Sequence, residues 1–191
     1  MKTSSSSGAG VWTDGALPEN VILGQQTLVT GKLAFKRFHS IQPNALIAGS
    51  NCRMDGVHFA LGPNGKMEIG SYCYFSSVVL LCELNIRIGD RVAIGWNTTV
   101  ADTDFHPLEP AARIQDAIAC SPLGKAKKRP PLEAKSIIIE DDVWIGPNST
   151  VLKGVRIGAG AWIEPGSLVT RDVPTNARVC GNPAKVVGQL T

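Results

Sequence analysis

The chain has 191 residues, 43% of them apolar and 18% charged, with a formal net charge of +3. That composition excludes a disordered tail, and so mild a charge gives no electrostatic footprint for a nucleic-acid partner. No window of about 18 consecutive apolar residues occurs, so no membrane span is expected. The five cysteines, Cys52, Cys73, Cys82, Cys120 and Cys180, are odd in number, widely spaced and free of any C-x-x-C pair. They argue against a disulfide framework or a structural zinc site and fit a reducing, cytoplasmic compartment.

The opening MKTSSSSGAG lacks the apolar core of a secretory signal. Residues 1–20, with the run Ser4 to Ser7, read as a flexible segment. From there a period of six takes over. A first run comprises Leu23, Val29, Phe35, Ile41, Ile47 and Phe59, broken once by Arg53. Gly62-Pro63-Asn64-Gly65 shifts the phase and reads as a turn insert. A second run follows at Ile69, Phe75, Leu81, Ile88, Ile94 and Val100, with one step of seven. The third is unbroken: Ile139, Ile145, Val151, Ile157, Ile163 and Val169. Val, Ile and Leu fill about a quarter of the chain, so six preset positions would all be aliphatic by chance roughly twice in ten thousand tries. Small or β-branched residues precede these positions by two, at Val143, Ser149, Val155, Ala161 and Ser167.

A helix cannot use this pattern, because six residues turn it by about 600° and scatter the stripe; a plain strand repeats every two. Six suits a short strand plus a bend. Three such units make a triangular coil whose aliphatic residues fill the inside of a prism. One coil cannot bury its apolar side alone, so the pattern predicts a stack, with room for roughly seven coils between Leu23 and Pro174. The solenoid is expected to occupy residues 21–183 and to end at the turn Gly181-Asn182-Pro183, leaving a tail, 184–191, to cap the last coil. Within it, residues 106–138 carry no hexads. They hold Pro107, Pro110, Pro122, Pro130 and Pro131 and the basic run Lys125 to Arg129. A long unpatterned excursion from a rigid scaffold points to function, so an inserted loop folded over a site is predicted.

Two stretches carry a resemblance. Ile139 to Val187, IEDDVWIGPNSTVLKGVRIGAGAWIEPGSLVTRDVPTNARVCGNPAKVV, and Ile88 to Arg113, IGDRVAIGWNTTVADTDFHPLEPAAR, resemble the hexapeptide-repeat acyltransferases, above all the maltose, galactoside and polysaccharide O-acetyltransferases. The resemblance implies an all-β fold, a left-handed parallel β-helix, assembled as a homotrimer with sites between neighbouring prisms. It implies acetyl-CoA as donor, a saccharide hydroxyl as acceptor, and no metal.

Moving an acyl group from a thioester to a hydroxyl requires a base for the hydroxyl proton, donors for the developing oxyanion, and a grip on the long CoA molecule. Of the three histidines, His106 in Asp104-Phe105-His106-Pro107 matches the family's His-Pro pair and is the expected general base; His39 and His58 lie in the weak amino-terminal hexads. Asp102, Asp104 or a backbone carbonyl could orient its other ring nitrogen. For the acceptor the resemblance implies Glu83 and the position of Ser76, which stands where the galactoside enzymes carry asparagine. Asp104 and Arg113 are further acceptor candidates read from the residues themselves, Arg113 either holding a carboxylate or phosphate of the acceptor or forming a surface ion pair. For CoA it implies Trp144 against the pantetheine arm, Gly146 with its backbone open to it, Thr170, and Arg171 and Lys185 on the phosphates; Lys125, Lys127, Lys128 and Arg129 read as a solvated basic loop. Other readings are an N-acetyltransferase acting on an amino-sugar or antibiotic, a non-enzymatic assembly module, and a zinc carbonic anhydrase on the same scaffold, which needs histidines converging on one metal.

Overall fold

Each hexad runs from corner to corner of a three-sided prism. The computed structural model describes residues 8–124 and 127–191, so Ser4 to Ser7 and Lys125 lie outside the described residues. One face stacks Val11–Trp12, Leu28–Thr30, Arg53–Asp55, Tyr74–Ser76, Ala93–Ile94, Trp144–Ile145, Trp162–Ile163 and Ala177–Gly181. The second stacks Val21–Leu23, Leu46–Ala48, Lys66–Ile69, Asn85–Ile88, Ile137–Ile139 and Arg156–Ile157. The third stacks His58–Leu61, Val79–Cys82, Thr99–Ala101, Thr150–Val151 and Leu168–Val169. Within these stacks the pairing is parallel and in register, as where Ile86, Arg87 and Ile88 lie over Ile137, Ile138 and Ile139. Among the described residues, no helix is long and apolar enough to cross a membrane.

The corners explain the period. Asp142, Asn148, Gly154, Gly160 and Gly166, each six apart, all take left-handed backbone, with φ of 61°, 58°, 77°, 67° and 73°. Asp, Asn and Gly enter that region at least cost, so one such residue per six bends the chain at the corners of this run, while Gln26, Tyr72, Ser77 and Arg91 take the same conformation in earlier coils. The residues two before each aliphatic position seal the corners: Val143, Ser149, Val155, Ala161 and Ser167 are buried. Ser167 Oγ donates to the Glu164 carbonyl at 2.6 Å, and Thr98 Oγ1 donates to the Gly146 carbonyl of the next coil at 3.1 Å. The third run fills the prism axis as its spacing predicts, Ile139, Ile145, Val151, Ile157, Ile163 and Val169 being at most 1% exposed.

The earlier runs are out of phase by one in places. Leu80 and Cys82 point inward where the period selects Leu81. Leu46 and Ala48 flank a half-exposed Ile47, Met54 rather than Arg53 is buried, and Ile41 is exposed. Strand side chains alternate, so an offset of one residue exchanges the faces. The offset at Ile41, Ile47 and Arg53 arises in the stretch from Gly31 to Ser40, a chain of turns rather than a hexad, with Ala34, Lys36 and Phe38 N–H groups bonded three residues back. That at Leu81 arises in the five-residue step from Phe75 to Leu80, where Ser77 bends with a φ of 50°.

Residues 8–20 belong to the stack instead of a flexible leader. Val11 and Trp12 pair with Leu28 and Val29, and Trp12 packs edge-on to Phe35 at 5.0 Å. Apolar contact with the first coil orders them. The tail likewise folds into a strand, Ala184–Gln189, antiparallel to Ala177–Gly181, and extends the first face as a hairpin.

The expected loop also carries regular structure. It leaves the third face after Thr99–Ala101 and returns to the second at Ile137–Ile139, and Pro110–Cys120 within it form an 11-residue helix. Glu109 caps the helix by accepting from the Ala111 and Ala112 N–H groups at 2.9 and 2.6 Å, which lowers its carboxyl pKa, and Pro110 takes the first helical position. The only buried side chain of the helix is an acid, Asp116, while Ile114 and Ile118 are 63% and 44% exposed.

Candidate active site

His106 stands at the mouth of the insert, held in a tight turn. Phe105 takes left-handed backbone, φ 66°, and the His106 N–H closes on the Asp104 carbonyl at 2.7 Å. An aromatic residue in that region is strained and persists only where neighbours hold it. Two clamps do so. Lys153 Nζ donates to Asp104 at 2.5 Å and reaches Glu133 at 3.1 Å, tying both ends of the insert to the solenoid. Arg129 Nη2 donates to the Phe105 carbonyl at 3.1 Å.

The partner of the imidazole is Asp116. Its Oδ2 lies 2.5 Å from His106 Nδ1; the His106 side chain is 58% exposed and that of Asp116 fully buried. Arg129 grips the same carboxylate with two nitrogens, Nε to Oδ1 at 2.6 Å and Nη2 to Oδ2 at 3.1 Å. The Arg129 hydrogen bonds, more than that from His106, hold the Asp116 carboxyl down at about 2 against the opposing effect of burial. The carboxylate is therefore ionised throughout the neutral range and accepts from Nδ1–H, which leaves Nε2 as the lone-pair nitrogen at the surface. A surface imidazole so arranged can take a proton and have the resulting charge balanced beneath it.

Asp102 and Asp104, the two acids beside His106 in sequence that could have oriented its ring, do other work. Asp102 is buried and accepts the Glu83, Leu84 and Asn85 N–H groups at 2.7 to 2.8 Å. It thereby builds the corner that presents Glu83, whose carboxyl pKa is raised by burial and then by the Asp102 charge, against Arg129 and His39. Asp104 is paired with Lys153, and Arg113 donates to the Pro107 and Leu108 carbonyls at 3.3 and 2.8 Å, so both are engaged in holding the turn and the segment behind it. A groove of about 340 Å³ runs from the turn down the third face, lined by Thr103, Asp104, Phe105, Leu152, Lys153 and Thr170.

This architecture has counterparts among known proteins. The bacterial transferase hexapeptide family (six repeats) matches residues 136–171. A galactoside O-acetyltransferase of Lactococcus lactis is 35% identical over 140 residues, which cover 72% of this chain and 60% of that one. The crystal structure of a hexapeptide-repeat-containing acetyltransferase from Vibrio cholerae is 32% identical, with a TM-score of 0.56, over 74% of this chain and 71% of that one. The chain belongs to the hexapeptide-repeat acyltransferases. Its solenoid is accordingly the left-handed parallel β-helix. The N-acyltransferase AntD of Bacillus cereus, in a variant crystallised with dTDP-4-amino-4,6-dideoxyglucose and coenzyme A, shares the fold at 21% identity and a TM-score of 0.60, over 90% of this chain and 81% of that one. The chain spans 60% of the length of the Lactococcus enzyme.

Within this family member the remaining predicted residues fall into two groups. Thr170 and Arg171 follow the last rung of the third face, Thr170 lining the groove below the His106 turn and Arg171 exposed beyond it. Trp144 lies on the first face, stacked on Trp162 at 3.9 Å, and Lys185 is exposed on the terminal hairpin strand of that same face. Ser76 is buried at the end of a first-face strand, a full face-width away from Glu83 on the same coil. One chain thus gathers His106, Glu83, Asp104, Arg113 and Thr170 around the insert and leaves Ser76, Trp144 and Lys185 on another side. Gly146 differs from its expected role. Its N–H donates to the Ile163 carbonyl at 2.8 Å, its own carbonyl accepts from Thr98, and a Cβ there would lie 2.6 Å from the Pro165 nitrogen. Its backbone is spent on stacking coils. The decisive residues that sequence reasoning passed over are Asp116 and Arg129. The Glu-Pro-Ala-Ala start at residues 109–112 is a legible helix signal, yet nothing in the local pattern marks Asp116 as the inward residue.

Proposed function

We propose that the protein transfers an acetyl group from acetyl-CoA to a saccharide hydroxyl by direct attack, with His106 as the general base. One observation carries this reading: a solvent-facing imidazole whose Nδ1 is bound to a buried, ionised Asp116. Nε2 accepts the proton as the acceptor oxygen bonds to the thioester carbon. The C–S bond then breaks, and the proton passes from the imidazolium to the departing CoA thiolate. Asp116 balances the transient imidazolium, and Arg129 keeps Asp116 charged and in place. The groove reaching Thr170 from the Phe105 turn suits the pantetheine arm, and the exposed Arg171 at its far end suits a CoA phosphate. The Lactococcus relative, named a galactoside O-acetyltransferase, supports a hydroxyl acceptor.

The site is completed between copies in a homotrimer. Supporting this are the first-face position of Ser76, Trp144 and Lys185, away from His106, and the apolar residues left outside, Leu108, Ile114 and Ile118 on the insert and Tyr74, Trp96 and Trp162 on or beside the first face. The test is thiol release from acetyl-CoA in the presence of neutral, acidic and amino sugars. His106→Ala is expected to lower turnover at least about a hundredfold while CoA still stabilises the protein thermally. Near-normal turnover in that variant would remove His106 from the chemistry.

A further inference from the structure

Above the rung that delivers His106, the third face opens into a cleft of about 380 Å³ that none of the assignments above uses. Its floor is apolar, with Val79 and Leu81 from one strand and Leu33 from the turns that precede the second coil. Its polar lining consists of Lys36, Arg37 and His58, and no acidic residue lines it. Among the described residues, neither Lys36 nor Arg37 forms an ion pair. Two unpaired cations held over an apolar floor favour an anion.

The cationic rim is held in place. Phe35, next to Lys36, is buried and stacks on Phe59 at 5.2 Å, with Trp12 and Phe38 edge-on around it. The Phe59 N–H donates to the Ala34 carbonyl at 2.8 Å, which fastens the turn to the third face. The cleft also has a defined relation to the base. Ala60, Leu81 and Ala101 are register partners on three successive rungs, and the His106 turn follows the strand that ends at Ala101. Parallel strands lie about 4.8 Å apart, so the cleft begins one to two rungs, roughly 5–10 Å, above the strand that leads into the base. Glu83, two residues beyond Leu81, follows the same strand at the corner that Asp102 builds.

We infer that this cleft is the acceptor subsite for an anionic saccharide: Lys36 and Arg37 hold a carboxylate or phosphate of the sugar, the apolar floor takes its ring face, and a hydroxyl one sugar-length away reaches His106. The inference rests on the acyl-transfer reading and adds the charge class of the acceptor. The shared chemistry is an anion attached to a sugar, either the carboxylate of a uronic acid or the diphosphate of a nucleotide sugar.

Three probes separate these sources: methyl β-D-glucuronide, UDP-glucose, and methyl β-D-glucoside as the neutral match. Acetyl transfer to each is compared in the native protein and in the double variant Lys36→Gln/Arg37→Gln. The expected result is a preference for one anionic probe over the glucoside, lost in the variant through a rise in KM for that probe of about tenfold, with KM for acetyl-CoA unchanged. Equal use of charged and neutral probes by the native protein, or an equal loss on all three in the variant, overturns the inference. Saturation-transfer NMR with the same probes decides the matter independently of turnover. Contact signals from an anionic probe that vanish in the double variant support the cleft even if no acetyl transfer is seen, an outcome that would count against the acyl-transfer reading alone. Signals absent from the native protein, or unchanged by the variant, reject the cleft.

Discussion

Asp116→Asn isolates the electrostatic part of the proposed mechanism. The amide keeps the size of the side chain and an oxygen that can still accept from Nδ1–H, so the ring keeps its orientation. What disappears is the negative charge 2.5 Å from Nδ1, and Arg129, bound to the same carboxylate, is left facing the imidazolium without its counter-ion. Two unit charges about 4 Å apart interact by about 1 kcal/mol in water and about 4 kcal/mol at the effective dielectric of a protein surface region. Asp116 is buried but His106 is 58% exposed, so a value near the middle, about 2 kcal/mol, applies to the lost attraction. Unbalanced repulsion from Arg129 adds about 1 kcal/mol. A total of about 3 kcal/mol corresponds to a fall in kcat of roughly a hundredfold. The assay is steady-state thiol release at saturating acetyl-CoA and acceptor, with circular dichroism to confirm the fold. Arg129→Gln should be milder, since Asp116 still faces His106. The double variant Asp116→Asn/Arg129→Gln should be no slower than Asp116→Asn, because it also removes the repulsion. The reasoning is refuted if Asp116→Asn turns over within about threefold of the native protein while His106→Ala is inactive. It is equally refuted if the two substitutions multiply, since that would make Arg129 an independent contributor.

Arg171→Ala and Lys185→Ala should each raise KM for acetyl-CoA several-fold with kcat nearly unchanged, and an unaltered KM in initial-rate measurements would remove the phosphate assignment. Gly146→Ala places a Cβ 2.6 Å from the Pro165 nitrogen, so coils must shift apart; about 2 kcal/mol of overpacking should lower Tm by roughly 4–8 °C in calorimetry, and an unchanged Tm would contradict the stacking role. Because His106 and Lys185 lie on different sides of one chain, refolding a mixture of His106→Ala and Lys185→Ala subunits should restore CoA affinity and turnover together in a fraction of the sites. Activity in the mixture no higher than the sum of the two parents would argue that each site draws on one chain only.

Much of the molecule is already legible in the order of its residues. A buried aliphatic every six places, with Asp, Asn or Gly able to bend at each intervening corner, admits a stacked triangular coil and little else, because neither a helix nor a plain strand keeps that stripe on one side. His106 stood out for the same reason in reverse: few histidines, and one set where the repeat stops. Phase was less secure. Ile41 and Ile47 fit the period yet face outward, since the turns from Gly31 to Ser40 follow no hexad and alternation then reverses the faces; Leu81 does so because the step from Phe75 to the next inward strand position, Leu80, is five residues.

Folding alone decided who assists the base. Asp116 and Arg129 lie 10 and 23 residues beyond His106, and a pattern reader assigns a helical acid to solvent and helical isoleucines to the interior. Here the helix is inverted. Its acid is desolvated because a guanidinium and an imidazole compensate the charge, while Ile114 and Ile118 stay outside. Hydrophobic periodicity records which faces avoid water; it holds no trace of a buried charge that becomes tolerable only when two distant side chains converge on it.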